Sequence, residues 1–446
     1  MHNLGTRRML VVAAIMGSLA LAACSPGQAP VSTGPSTSGG PSGPPSAGID
    51  WASFKGQTVT YVYFTDGPDE QATRDLIAAF EKETGAKVDL QIVPYGDLEA
   101  SLQARLSAGD APDAARLTDV HPYRDALLDL TQYFGTQYVE EFLPGPVSAA
   151  LGPNGELLAV PSDLTMNGPI VNVDQFTKAG VPLPTKEKPW SFDRMVADAE
   201  KVQTANGTAF ALALDFSGHR VSTILSQYGT VLIGPNGKEA LDPAKAAKAI
   251  GVLTDLMNTD KMSKDFWLQS GSKYKGANEI FLAGDAPVYL TGNWQVAAFA
   301  KDAPFAWAAV PNPCAERCGG FPGGKFMAAF RDSKNPALAA AFVQWMNRPE
   351  NQTVFAQQSL FLPTRRDLAE TGIAYPQRSE DMNAFLGDIT KTPEDTYATV
   401  ASPAFGTAAN ALRAEIAKVV AGQEDVATAV QNVKKATADA LAELGN

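Results

Sequence analysis

Histidine and cysteine are both scarce: three of each in 446 residues. Such a supply leaves little for a His/Cys metal centre, and His121 and His219 stand far apart with no carboxylate motif around them. No HExxH, no complete P-loop, no GxSxG elbow and no GxGxxG after a strand occurs. Basic charge is short as well. With 36 Lys and Arg against 48 Asp and Glu, the formal net charge is −12. That balance disfavours nucleic acid or anionic lipid as a general partner and says nothing against a neutral ligand. Acids are plentiful, so a two-carboxylate glycan hydrolase is not excluded by counting, yet no pattern picks such a pair out.

What is present begins with a leader. Arg7 and Arg8 precede an apolar run from Met9 to Leu21, broken only by Gly17 and Ser18, and Ala22-Ala23 follow. The run is shorter than the roughly 18 residues of a durable membrane span, and its flanks are those of a secretory signal. Leu21-Ala22-Ala23-Cys24 resembles the lipobox of bacterial lipoproteins, in which the cysteine takes a diacylglycerol and becomes the first residue. The competing reading is an ordinary signal peptide with an incidental cysteine. Two acyl chains anchor where one only hovers. Residues 25–48 are dominated by Pro, Gly, Ser and Thr, without charge, a composition that cannot offset its own ordering entropy. The expected division is a signal peptide over 1–23, then lipidated Cys24 and a disordered tether over 24–50. The location expected is the outer face of the cell membrane.

If Cys24 carries lipid, Cys314 and Cys318 remain as a pair, and in an oxidising compartment they are expected to form a disulfide. A ring so short contributes roughly 2 kcal/mol by loop closure. Zinc is the competing reading, but no second CxxC or nearby His completes a tetrahedral set.

About 400 residues follow the tether, enough for two lobes. Residues 57–64 are β-branched and aromatic, which predicts a buried strand. A helix follows with Leu76, Ile77, Ala79 and Phe80 on one face, ending at Gly85. Residues 87–93 read as a second strand, and Leu98, Leu102 and Leu106 mark a second helix closed by Gly109. This rhythm predicts right-handed βαβ units and an α/β sheet. Helices are predicted over 193–206, 243–258 and 336–347. Two amphipathic segments close the chain, with Leu412, Ile416 and Val419, then Val426, Val430 and Val433, on single faces. Packing onto the body is expected rather than a coiled coil, because Gly422 interrupts a short stripe.

Several segments, in order, resemble the extracellular solute-binding proteins of ATP-driven sugar importers, the class that includes maltose-binding protein. They are Phe80 to Val88, Ala108 to Asp113, Gly155 to Pro161, Val171 to Val181, Phe281 to Ala286 with Gly292-Asn293-Trp294, Ser333 to Phe342, and Leu362 to Arg365. The likeness runs from about Val59 to Leu444. Departures are Phe192, where the family usually has tryptophan, Val171, where tyrosine is common, and the Cys314–Cys318 loop. The resemblance implies an α/β, two-lobe periplasmic-binding-protein-like (type II) fold with a hinge and an interlobe cleft. It places lobe I over 51–163 and 310–349, and lobe II over 164–309 and 350–446. It implies a monomer that binds a mono- or oligosaccharide or sugar derivative, closes by hinge motion and delivers it to membrane permease subunits, with no cofactor and no catalysis.

A sugar offers hydroxyls and an apolar CH face, so aromatic plates and polar rims are the matching chemistry. By position in the family these are Phe64 and Asp66 after the first strand, then Thr118 and Asp119. For Phe64 the competing reading is core, and for Asp66 and Asp119 a turn. In the second lobe Asp215, Phe216, His219 and Arg220 interrupt an apolar run, with a local ion pair as the bland alternative. Asn293 and Trp294 match the family's sugar-stacking position, against a tryptophan filling the core between lobes. Gly323, Gly324 and Lys325 fall where the family's backbone approaches its ligand, and Phe405 where a second-lobe aromatic does. Trp267 and Tyr228 are weaker additions. Rival functions are binding of a phosphorylated ligand such as a glycerol phosphodiester, hinted at by Arg220, Lys325 and Arg365, a secreted glycan-processing enzyme, and a purely structural surface protein.

Overall fold

A computed structural model describes residues 51–65 and 67–444. The expected signal peptide, Cys24, the tether and Asp66 lie outside the described residues.

The first half builds as the βαβ rhythm predicts. Strand β1 (Thr58–Tyr63) leads to a helix over Asp69–Thr84, which stops where Gly85 turns left-handed at φ 72°. That helix buries Ala72, Thr73, Leu76, Ile77 and Phe80, one stripe at a period of 3.6. Ala79, expected on this face, points to solvent because it falls a full step off the stripe. Strand β2 (Lys87–Ile92), the helix Leu98–Ser107 and β3 (Ala114–Leu117) follow, and β1 runs parallel to both of its neighbours.

Strand β4 (Val160–Asn172) has thirteen residues, all but one buried. Beyond it come β5 (Leu212–Leu214), β6 (Val288–Gly292), β7 (Trp307–Ala309) and β8 (Pro322–Ala329). The strand order is β2-β1-β3-β8-β4-β6-β5, with β7 also on β4. Two parallel groups are therefore joined through an antiparallel pair. Strand β8 pairs with β3 through Phe326–Ala329 and with β4 through Pro322–Met327. Strand β4 pairs with β8 in its first half, then with β6 and β7 from Asn167 onward.

Apolar packing follows the same division. One cluster gathers Val59, Phe80, Leu117, Phe330 and Phe342 around the first parallel group. Two others surround the second group, one including Phe192, Leu225, Leu253 and Leu412, the other Phe281, Phe299 and Phe385. The predicted helices appear as Phe192–Asn206, Pro243–Asn258 and Pro336–Met346. The last two, Phe405–Val420 and Val426–Glu443, bury Leu412, Ile416, Val430 and Val433 in the body, and Gly422 turns between them at φ 71°.

Candidate functional site

Parallel strands send their carboxyl ends the same way, and in open α/β sheets ligands collect in the crevice beyond those ends. Chain leaving β2 reaches Tyr95, which is 62% exposed and has its ring seated on Phe64 with centroids 5.2 Å apart. Glu99 follows one turn later in the helix Leu98–Ser107, exposed and with no hydrogen bond to its carboxylate among the described residues. Chain leaving β3 supplies Thr118 and Asp119. One Asp119 carboxylate oxygen accepts from the His121 backbone N–H at 2.9 Å and from its ring Nδ1 at 2.7 Å. Burial works to raise this carboxyl, but the bonds from His121 outweigh it and hold Asp119 below the ordinary carboxylate value.

These groups form one wall of a cleft of about 700 Å³. Its floor is Pro161, Asp163 and Leu164 of β4 with Gly323, Gly324 and Lys325 of β8. The facing wall is His219 together with Tyr397, Ser402 and Phe405. Phe405 lies against Phe321 and His219, with centroids 5.5 and 5.7 Å away. Burial, helped by the neighbouring Arg220 charge, pushes the His219 imidazole down to about 3, so it is neutral at ordinary pH. The walls meet at Gly145, where an added Cβ would come within 2.3 Å of the Tyr397 ring.

Beneath the floor lies a balanced set of buried charges. Arg116, 1% exposed, pairs with Asp69, donates to Asp163 Oδ2 at 2.9 Å and to the Phe64 carbonyl at 2.9 Å. Lys325 Nζ stands 3.8 Å from Asp163 Oδ1 and 4.8 Å from the Phe361 ring centroid. Two cations thus answer two carboxylates. Burial alone would depress the Arg116 guanidinium, but Asp163, Tyr63 and Asp69 together raise it above its ordinary value.

The residues expected from sequence divide accordingly. Thr118, Asp119, His219, Gly323, Gly324, Lys325 and Phe405 line the cleft. Phe64 is 1% exposed and serves as core beneath Tyr95, so its aromatic neighbour rather than Phe64 itself faces the opening. Asp215, Arg220 and Trp294 gather beside the cleft without lining it. Asp215 accepts from Arg220 Nε at 3.2 Å and from the Tyr289 hydroxyl at 2.5 Å. Arg220 also donates to Asn167 Oδ1 at 3.2 Å, and its guanidinium lies 3.9 Å over the Trp294 ring. The expected sugar plate is therefore covered on one face by an arginine. Asn293 is fully buried, accepting from the Met166 N–H at 2.8 Å and donating to the Leu360 carbonyl at 3.3 Å. Phe216 meets Trp267 edge-on and Arg413 at 4.6 Å, and Trp267 is core at 1% exposure. Tyr228 is likewise buried, against Phe192.

The glycine pair has a local reason to be small. A Cβ on Gly323 would meet the Thr165 hydroxyl at 2.7 Å, and one on Gly324 the Asp163 carbonyl at 2.7 Å. Just upstream, Cys314 and Cys318 are joined as a disulfide. Their loop is tied down by Arg317, which donates to the Ser226 carbonyl at 2.8 Å and forks onto Asp395 at 2.9 and 2.7 Å. Tyr95, Glu99, Asp163 and Tyr397 were not singled out as ligand groups from sequence. The signal for Tyr95 was there, since it leaves β2 as Asp119 leaves β3.

The model of a family described as bacterial extracellular solute-binding protein matches residues 75–383. The diacetylchitobiose-binding protein DasA of Streptomyces coelicolor is 24% identical over 343 residues, 72% of this chain and 76% of that one. The maltodextrin-binding protein MdxE of Bacillus subtilis is 24% identical over 221 residues, and that match spans about half of each chain, 48% of both. Among solved structures, the GacH receptor of Streptomyces glaucescens, described unliganded and with acarbose, superposes with a TM-score of 0.71 at 20% identity. The superposition covers 87% of this chain and 99% of that one, and establishes a shared type II, two-lobe fold.

Proposed function

The chain belongs to the bacterial extracellular solute-binding proteins, and from that premise we propose that it is the saccharide-binding subunit of an ATP-driven importer. The observation that carries the reading is the cleft beyond the strand ends, about 700 Å³, with an exposed tyrosine on one wall and carboxylates beside it. That volume lies within the range of small-molecule sites, and the mixture of rings and hydrogen-bonding rims suits a hydroxylated ring compound. Relatives whose names specify maltodextrin and diacetylchitobiose support the same class. Tyr95, Asp119, Tyr397 and Phe405 are the residues assigned to touch the guest, and the stacking role moves from Trp294 to Tyr95.

The guest bridges both walls and shifts the open–closed balance by its differential affinity for the two states. Lobe I is assigned to 51–163 with 310–349, and lobe II to 164–309 with 350–446. Cys24 is the proposed lipid anchor, residues 25–50 the tether, and membrane permease subunits the receivers of the closed form. The phosphorylated-ligand reading is not favoured, because each cation that hinted at it is engaged. Arg220 is held by Asp215, Lys325 stands against Asp163, and Arg365 pairs with Glu141 at 2.8 Å.

Calorimetric titration with a panel of neutral mono- and oligosaccharides tests the proposal, each mixture afterwards analysed for cleavage products. Saturable 1:1 binding without turnover is expected. A ligand at a thousandfold excess over its dissociation constant also stabilises the fold by about 4 kcal/mol, read as a thermal shift. Turnover of any glycan would replace the binder with an enzyme, and silence across the whole panel would reject the sugar class.

A further inference from the structure

The acidic and basic groups lining the cleft leave an excess of carboxylate. Lys325 and Asp163 face each other across 3.8 Å, with Arg116 on the far side of Asp163. His219 is neutral. His121 spends its Nδ1 on Asp119. Among the described residues, no arginine lines the cleft. The electrostatic pull of His121 and, after it, that of Arg124 also bear on Asp119, each more weakly than the hydrogen bonds from His121. What remains unbalanced is the Glu99 carboxylate and the second oxygen of Asp119, whose side chain is 48% exposed. Both act on one point of the same wall, since burial first and then both carboxylates push the Tyr123 hydroxyl up to about 12. The exposed Tyr95 ring lies on that wall, so a stacked guest would sit within reach of the two acids.

We propose that the cleft sorts its guests by charge, admitting neutral and amino-bearing saccharides and refusing carboxylated or phosphorylated ones, with Glu99 and Asp119 as the residues that refuse. The inference rests on the saccharide-binding reading and sharpens it. Its physical basis is that like charges brought together in a partly dried cleft are costly, whereas a hydroxyl or ammonium finds acceptors already in place. Among the described residues no separate anion-binding device offsets the two acids, because Arg116 and Lys325 are matched by Asp69 and Asp163.

The test uses the folded chain and a panel in which each disaccharide skeleton is present in hydroxyl, amino and carboxyl forms. Calorimetry is run in dilute buffer and again at about 1 M salt, where the screening length falls to about 3 Å. For every skeleton bound in its neutral form, the carboxyl form should bind at least about tenfold more weakly and the amino form as well or better. High salt should shrink the difference. The double variant Glu99→Gln/Asp119→Asn should bring the carboxyl form to within a few-fold of the neutral one, a rescue that a purely steric exclusion would not permit. Equal affinity for neutral and carboxyl forms in the parent protein overturns the proposal. So does a penalty that survives both salt and the double variant. If no neutral skeleton binds, the saccharide reading itself fails, and the charge rule falls with it.

Discussion

At the scale of single residues, the site turns on side chains whose roles are set by neighbours far away in sequence. Tyr95 is 62% exposed and does no work for the core beyond resting on Phe64. Tyr95→Ala should therefore leave the denaturation midpoint unchanged while weakening sugar binding by roughly tenfold, the size of one aromatic stacking contact. Trp294→Ala provides the contrast, and undiminished affinity in that variant is the expected result. Arg116→Met should be severe, because it strands Asp69 and Asp163 in the interior without their cation. A loss of about 3–5 kcal/mol in urea denaturation is expected. His219 gives a pH signature. The fold keeps its imidazole neutral down to about 3, against 6.5 for the free side chain. Between those values the unfolded chain binds a proton that the fold does not, so the contribution is intact above pH 6.5 and is lost as pH falls toward 3. The stability difference between parent and His219→Gln, followed by denaturation from pH 7 to pH 4, should shrink or invert along that interval. Sequence brought Asp119, His219 and Phe405 to the cleft, because strand ends and family position both mark them. The surroundings of Trp294 stayed hidden, because nothing in Asn293-Trp294-Gln295 reveals that Arg220, 74 positions earlier, lies across the ring.

At the scale of elements, the reading from sequence was most faithful where one period governs a whole segment. The helix Asp69–Thr84, the strands flanking it and the closing pair of helices all appeared where spacing and glycine stops put them. Strand β4 was not delimited in advance, since its near-continuous burial erases the alternation that marks a one-sided strand. Close approaches between elements were invisible for the same kind of reason. Gly218 opens a helix over Gly218–Gln227 against the helix Phe405–Val420, and a Cβ there would lie 1.8 Å from the Ala409 carbonyl oxygen. Gly218→Ala should force these helices apart, costing about 1–3 kcal/mol in denaturant titrations. Since His219 follows Gly218 directly and Phe405 begins the facing helix, sugar affinity should drop in the same variant. Opening the Cys314–Cys318 ring by a Cys→Ser pair should remove roughly 2 kcal/mol, with Arg317 and its fork onto Asp395 still restraining the loop.

At the scale of the whole molecule, the proposal places a folded body at the end of a leash. Expressed from its full sequence, the chain should sediment with membranes, and Cys24→Ala should release it, with fractionation as the measurement. Addition of a bound sugar should also reduce the radius of gyration measured by small-angle scattering, as expected when two walls draw together. The manner of that movement is constrained by the pairing of β4 with β8. Strand β8 carries hydrogen bonds to the first parallel group through β3, and β4 to the second through β6, so among the described residues the halves are continuous in fabric. A junction of that kind behaves as a leaf spring and not as a pin. Its rest angle is a property of the twist, and each degree of bending is resisted along the whole ladder, so resting posture should be tunable by changes in β4 that never touch the guest.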